Sequence, residues 1–164
     1  MLLDDSLRGV EVVSRFDGPI VDVGSGGGAP GIPLAHALPE REVVLLEAAR
    51  KKCEFLEHWA PPNARVVWGR AEGQETDWAG VALAKALAQP PTALEWCLPL
   101  VREGGAVVLW VGPSADAARV ALVAARIAGE LEESPEGFLV IRKVGPTPNG
   151  FPRRAGVAKK RPLA

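Results

Sequence analysis

At 164 residues and 17.3 kDa, with 48% hydrophobic residues, the chain is long enough for one domain with a full core and short for two. The formal charge is −1, yet residues 1–136 hold all 20 acids against 12 bases, while residues 137–164 hold 7 bases and no acid. Two cysteines without metal-ligand spacing argue against a disulfide framework or a metal site, no apolar run approaches membrane-spanning length, and Asp4 and Asp5 oppose a secretory leader, so a reducing, cytoplasmic setting is expected.

The chain opens with LLDDSLRGVEVVSRF, where Leu3, Leu7 and Val10 at helical spacing predict one short helix with those residues toward the core. Asp17-Gly18-Pro19 breaks it, and Ile20–Val23 is the first predicted strand. A helix is expected over Gly31–Leu38, stopping before Pro39, and EVVLLE from Glu42 to Glu47 reads as a strand buried on both faces. A helix follows from Ala48 to Trp59, with Phe55, Leu56 and Trp59 inward and Arg50, Lys51 and Lys52 as a solvated first turn. Strands are predicted at Arg65–Trp68 and Val81–Ala84. Thr92 with Glu95 matches a capping box for a helix running to Arg102, bent by Pro99 and closed by Gly104-Gly105. Ala106–Val111 is a strand, Ser114 caps an alanine-rich helix to about Ala128, and Phe138–Val144 is the last strand. Residues 145–164, rich in glycine, proline and bases, read as an extended basic arm on a single domain spanning 1–164. Strands alternating with helices predict an α/β, doubly wound, mostly parallel sheet with ligands at the carboxyl ends of its strands.

The most informative stretch is VDVGSGGGAPGIP, Val21 to Pro33, with glycine at 24, 26, 27, 28 and 31. A strand turning into a helix through residues without side chains lets a ligand lie against the backbone, and the helix start favours polar or anionic groups. Gly24, Gly26 and Ala29 fit the dinucleotide pattern, and Glu47, about twenty residues on, sits where an acid binds ribose hydroxyls, so NAD is compatible with the spacing. An adenosyl-sulfonium donor is favoured by Asp22, which can accept hydrogen bonds from the turn and from an amino-acid ammonium, and by the lack of a second domain for hydride transfer.

These residues resemble the motif D-x-G-[ST]-G-x-G-x-P-G-[IL]-P of the RsmG family (glucose-inhibited division protein B). The likeness continues in LLDDSL, EVVLLEAARKKCEFLE, VVWGRAE, LEWCLPLVREGG, FLVIRKVGPTP and FPRRAGVAKKRP. It implies a class I, Rossmann-like fold and S-adenosylmethionine-dependent methylation of guanine N7 in small-subunit (16S) ribosomal RNA. Carried over, Gly24 and Gly26 back the methionine part of the donor, Ala29 lines the turn, Glu47 takes the ribose, Ala71 and Glu72 border the adenine, and Lys85 stands near donor and target base. The expected partner is ribosomal RNA or the small subunit, met by a monomer.

Family members carry a bulky residue where this chain has Ala29, an acid where it has Gly80, and an arginine where it has Lys85. They also have a helical segment before LLDSL, where this sequence starts, and a longer two-strand hairpin than GELEESPEG allows. No catalytic side chain is predicted, because guanine N7 carries a lone pair and no proton. Arg153, Arg154, Lys159, Lys160 and Arg161 are expected to bind RNA phosphates. His36 and His58 lack partners at catalytic spacing, and Cys53 and Cys97 read as packing residues. A non-catalytic RNA or adenosylmethionine binder and an NAD-dependent oxidoreductase are the competing expectations.

Overall fold

A computed structural model describes residues 2–164. These build a seven-stranded sheet from β1 (Ile20–Val23), β2 (Val43–Glu47), β3 (Ala64–Trp68), β4 (Ala79–Lys85), β5 (Val101–Trp110), β6 (Gly129–Glu132) and β7 (Phe138–Lys143). Their order is β3-β2-β1-β4-β5-β7-β6, with β1 to β5 parallel and β7 antiparallel to both β5 and β6. The chain progresses outward in one direction from β1 through β2 to β3, then returns to add β4 on the other side of β1. That reversal opens a crevice at the carboxyl ends of the strands.

Side chains alternate across the sheet and divide the core in two. Ile20, Val43, Leu45, Val81, Leu83 and Val108 face a layer built from α2 (Val10–Val13), α3 (Gly31–Ala37) and α4 (Arg50–Trp59). Val21, Val23, Leu46, Ala82, Val107 and Leu109 face α5 (Pro90–Cys97) and α6 (Ala117–Arg126). The central strands are therefore apolar apart from Asp22 and the residues that end β2 and β4 at the carboxyl edge, Glu47 and Lys85.

Several local expectations are corrected. The first helix is broken into α1 (Leu2–Leu7) and α2 by a turn at Gly9, where a Cβ would meet the Trp110 ring at 2.4 Å. Leu3 and Leu7 are exposed, and Val12, Val13 and Phe16 fill the core instead. On α4, Phe55 and Trp59 are 50% and 58% exposed, and the helix seats Cys53 and Leu56. Helix α5 begins two residues before Thr92 and ends at Cys97; Pro99 lies in the tight turn Leu98–Leu100. Arg102, Gly104 and Gly105 belong to β5, which bulges between its pairings Ala79↔Val101 and Val81↔Ala106, with Gly104 at φ +88. Asp116, not Ser114, caps α6 by accepting from Arg119 N at 3.2 Å. GELEESPEG does contain the start of a hairpin, since β6 pairs with β7.

The tail is a strap rather than an extended arm. Residues 145–164 include α7 (Val157–Lys160), bury Ala158, and pack Phe151, Leu163 and Ala164 against the core. Its root is fixed by Lys143, whose Nζ donates to Asp77 Oδ1 at 3.0 Å, Leu98 O at 3.0 Å, Val101 O at 2.8 Å and Thr147 Oγ1 at 2.8 Å.

Candidate functional site

The crevice holds a cavity of about 450 Å³. The turn after β1, the end of β2 and the loops after β3 and β4 bring Gly24, Gly26, Ala29, Glu47, Ala71, Glu72 and Lys85 to its walls. Asp22 is the predicted binding residue that is not part of this lining.

Asp22 instead sits beneath the turn, 1% exposed, and its Oδ2 accepts from Gly31 N at 3.0 Å. The carboxyl thus ties the end of β1 to the first residue of α3. Burial, only partly opposed by that hydrogen bond, pushes its pKa up to about 7. Gly31 has no room for a side chain, since a Cβ would lie 2.6 Å from Asp22 Oδ2 and 2.5 Å from Leu45 Cδ2. Above this tie, Gly24 and Ser25 donate backbone N–H groups to Leu46 O at 2.8 and 3.1 Å. Gly24 and Gly26 have φ of +70 and +55, which favours glycine at both, and a Cβ on Gly27 would meet nothing within 4 Å.

Glu47 closes the other side. Its Oε1 accepts from Gly26 N at 3.0 Å and its Oε2 from Ala49 N at 2.6 Å, so one carboxylate holds both loops in register. An ionised carboxylate has about four lone-pair sites, which leaves capacity for hydroxyl donors. Glu72, in the tight turn Ala71–Gly73, accepts from Gly156 N of the strap at 3.3 Å. Lys85 ends β4, 16% exposed, with its Nζ 2.6 Å from Asp5 Oδ2 of α1. The lysine and Arg8 beside it hold the Asp5 carboxyl below the usual carboxylate range despite some desolvation.

Sequence reasoning missed Lys52, Arg70, Leu87 and Trp96 at the same cavity. Lys52 was assigned to a solvated helix face, but the first turn of α4 starts beside the end of β2. Leu87 fills the space left by Gly24, with its Cδ1 2.3 Å from where a Cβ would stand. Trp96 reaches the site from α5, and no local pattern marks it. Position 80 also has a structural reason: a Cβ there would lie 1.8 Å from Asp17 O, so β4 starts against bare backbone.

The basic tail residues do not act alike. Arg153 Nε donates to Glu95 Oε2 at 2.7 Å, its Nη2 pairs with Glu95 Oε1, and the same Nη2 donates to Arg161 O at 2.9 Å. Glu95 is 3% exposed, so this two-pronged pair pins the strap to α5. Arg154, Lys159, Lys160 and Arg161 are exposed.

Comparison with known proteins supplies the family. The model of GidB, rRNA small subunit methyltransferase G, matches residues 1–142. The ribosomal RNA small subunit methyltransferase G of Rubrobacter xylanophilus is 37% identical over 91% of this chain and 66% of its own length. That of Pelotomaculum thermopropionicum is 37% identical over 97% of this chain and 76% of its own length. The chain thus spans about two thirds to three quarters of these relatives. Among solved structures, a SAM-dependent O-methyltransferase from Thermotoga maritima superposes with a TM-score of 0.65 at 16% identity, over 86% of this chain and 65% of that one. The T. thermophilus 16S rRNA N2 G1207 methyltransferase, in complex with AdoMet and guanosine, gives 0.64 at 16% identity over 90% and 40%. At those identities the structures speak for a shared class I methyltransferase fold, whereas the family model and the relatives establish descent: the chain belongs to the rRNA small subunit methyltransferase G (GidB) family.

Proposed function

We propose that this protein binds S-adenosylmethionine in the crevice cavity and methylates N7 of a guanine in small-subunit ribosomal RNA, acting as a cytoplasmic monomer. The observation that carries the reading is the glycine turn and Glu47, joined through Gly26 N, at the strand-order reversal of a chain of this family. The cavity suits the donor: Gly27 leaves open space for a close approach, and carboxylates stand at the two places where hydroxyl and amino groups are expected.

When bound, S-adenosylmethionine supplies an electrophilic methyl group. Gly24, Gly26 and Ala29 offer backbone to its methionine part, Glu47 accepts from ribose hydroxyls, and Ala71 and Glu72 border the adenine. Asp22 acts from below by fixing the turn. Lys85, held by Asp5, orients the acceptor. Because N7 has a lone pair and no proton, the residues need to align and desolvate the reactants rather than move a proton. Arg154, Lys159, Lys160 and Arg161 contact RNA phosphates, with Arg153 holding the strap that carries them.

Calorimetry with S-adenosylhomocysteine and NAD, followed by transfer of tritiated methyl to 16S RNA and to small subunits, tests this reading. The expected result is homocysteine-analogue binding and label at guanine N7. Binding of NAD without response to S-adenosylhomocysteine would overturn it, and donor binding without label in either substrate would leave a non-catalytic binder.

A further inference from the structure

Trp68 ends β3 with 62% of its surface exposed, more than any other aromatic residue among those described. The ring is nevertheless held in place. Its Nε1 donates to Ala48 O at 2.9 Å, and the Arg50 guanidinium carbon lies over the ring, 5.4 Å from its centroid. Arg50 covers one face of the indole and leaves the other to solvent. Because β3 is the edge strand of the sheet, no further strand of the described chain shields it.

The indole adjoins the donor cavity: Ala48, which anchors it, and Gly69 and Arg70, which follow it, are part of the cavity wall. Positive charge gathers around it, with Arg50, Lys51 and Lys52 exposed on the first turn of α4 and Arg70 exposed after β3. Among the described residues Lys51, Lys52 and Arg70 make no ion pair, and Arg50 meets Glu54 at 4.0 Å with both side chains largely exposed, a contact worth little in water. The placement also works against the helix. A first turn with three bases and no acid sets like charge against the positive end of the dipole, so these cations do not serve the stability of α4.

Resting on the methyltransferase reading, we propose that Trp68 is a stacking platform for an unpaired base flanking the methylated guanine, with Lys51, Lys52 and Arg70 on the adjoining RNA phosphates. An indole face accepts any base and the cations follow the backbone, a combination that grips single strands without reading their sequence. The setting of charge separates Trp68 from the other exposed indole, Trp59, which lies about 14 Å along α4 from Arg50 and packs against Phe55 and His58. The platform stands at the end of the cavity assigned to adenine and touches no reacting atom. It gives the RNA a fixed stop on the sheet, whereas the cations of the strap hold it from a separate segment.

The test titrates naked 16S RNA into the full chain saturated with S-adenosylhomocysteine, at several salt concentrations. Trp68→Ala is expected to weaken RNA binding about tenfold and Trp68→Phe by no more than about threefold, since the smaller ring still stacks, with analogue affinity changed by no more than about twofold in either. Trp59→Ala is expected to leave RNA binding unchanged. Lys51→Glu is expected to weaken RNA binding about fivefold and to flatten its salt dependence, while Arg126→Glu, the same charge change on α6, does neither. Ultraviolet irradiation of the complex is expected to join RNA to the peptide that carries Trp68. Unchanged RNA affinity in Trp68→Ala, an equal loss in Trp59→Ala, or a parallel loss of analogue affinity would overturn the platform. A loss seen with small subunits but not with naked RNA would overturn it too, by making Trp68 a protein contact. Failure of the unaltered chain to bind the analogue would instead overturn the methyltransferase reading itself.

Discussion

The glycine turn lines the crevice cavity and the C-terminal strap reaches its edge through Gly156 N on Glu72, and the two are held by opposite means. The turn is tied from inside: Asp22 and Glu47, both buried, accept backbone N–H groups from residues within it or beside it. The strap is tied mainly from outside, by Arg153 on Glu95, by Glu72 on Gly156 N and by Lys143 and Asp77 on Thr147, beside the apolar seats of Phe151, Ala158, Leu163 and Ala164. Backbone-to-carboxylate bonds within a core change only if the core does. A strap seated by a few side-chain ties and a small apolar contact can lift while the sheet remains folded. On the proposed function, the half assigned to the donor is therefore preformed, and the half assigned to RNA is the adjustable one.

The sharpest way to break this contrast is to disturb the turn. Gly31→Ala forces a Cβ against Asp22 and Leu45, and we expect a global loss of about 3 kcal/mol together with loss of S-adenosylhomocysteine binding. Chemical denaturation and calorimetry measure both. In the strap, Arg153→Ala leaves the buried Glu95 carboxylate without its partner, at a cost of about 2 kcal/mol that should appear locally. Hydrogen exchange should quicken over residues 145–164 with analogue binding retained; unchanged exchange there would mean that the strap has other anchors. The smallest effect concerns Asp22. Its folded pKa of about 7 lies above its unfolded value near 3.8, so its contribution to stability is complete below the unfolded value and is lost as pH rises through 7. Between about pH 5 and pH 6.5 the protein should lose on the order of 1–2 kcal/mol relative to Asp22→Asn, whose amide mimics the neutral acid. Parallel pH dependences for the two proteins would contradict this.

The parallel strands were legible because burial on both faces leaves an uninterrupted apolar run: β1 and β2 fall where the sequence predicts them, within a residue. Helical periodicity, by contrast, reports that a helix has two faces without saying which neighbour receives either one. Phe55 and Trp59 on α4, and Leu3 and Leu7 on α1, sit at correct spacing on the wrong side. Glu95 was read as a local cap because Thr92 precedes it, yet its partner is Arg153, 58 residues away. Gly104-Gly105 was taken as a helix end, although glycine equally permits the bulge by which β5 accommodates β4. Of the cavity walls, the glycine turn and its motif partners could be read from the sequence; Trp96 and Leu87 could not, because only the folded chain brings them there.

Lys143 has a consequence of a chemical kind. Its amine is fully buried, and burial lowers its pKa against the opposing pull of Asp77, while four oxygens share its three protons. Seated, it is shielded from any acylating reagent; released along with Thr147, it becomes an ordinary reactive lysine. The rate at which this one side chain is labelled is thus a clock for opening at the strap's root, readable by mass spectrometry without altering a residue.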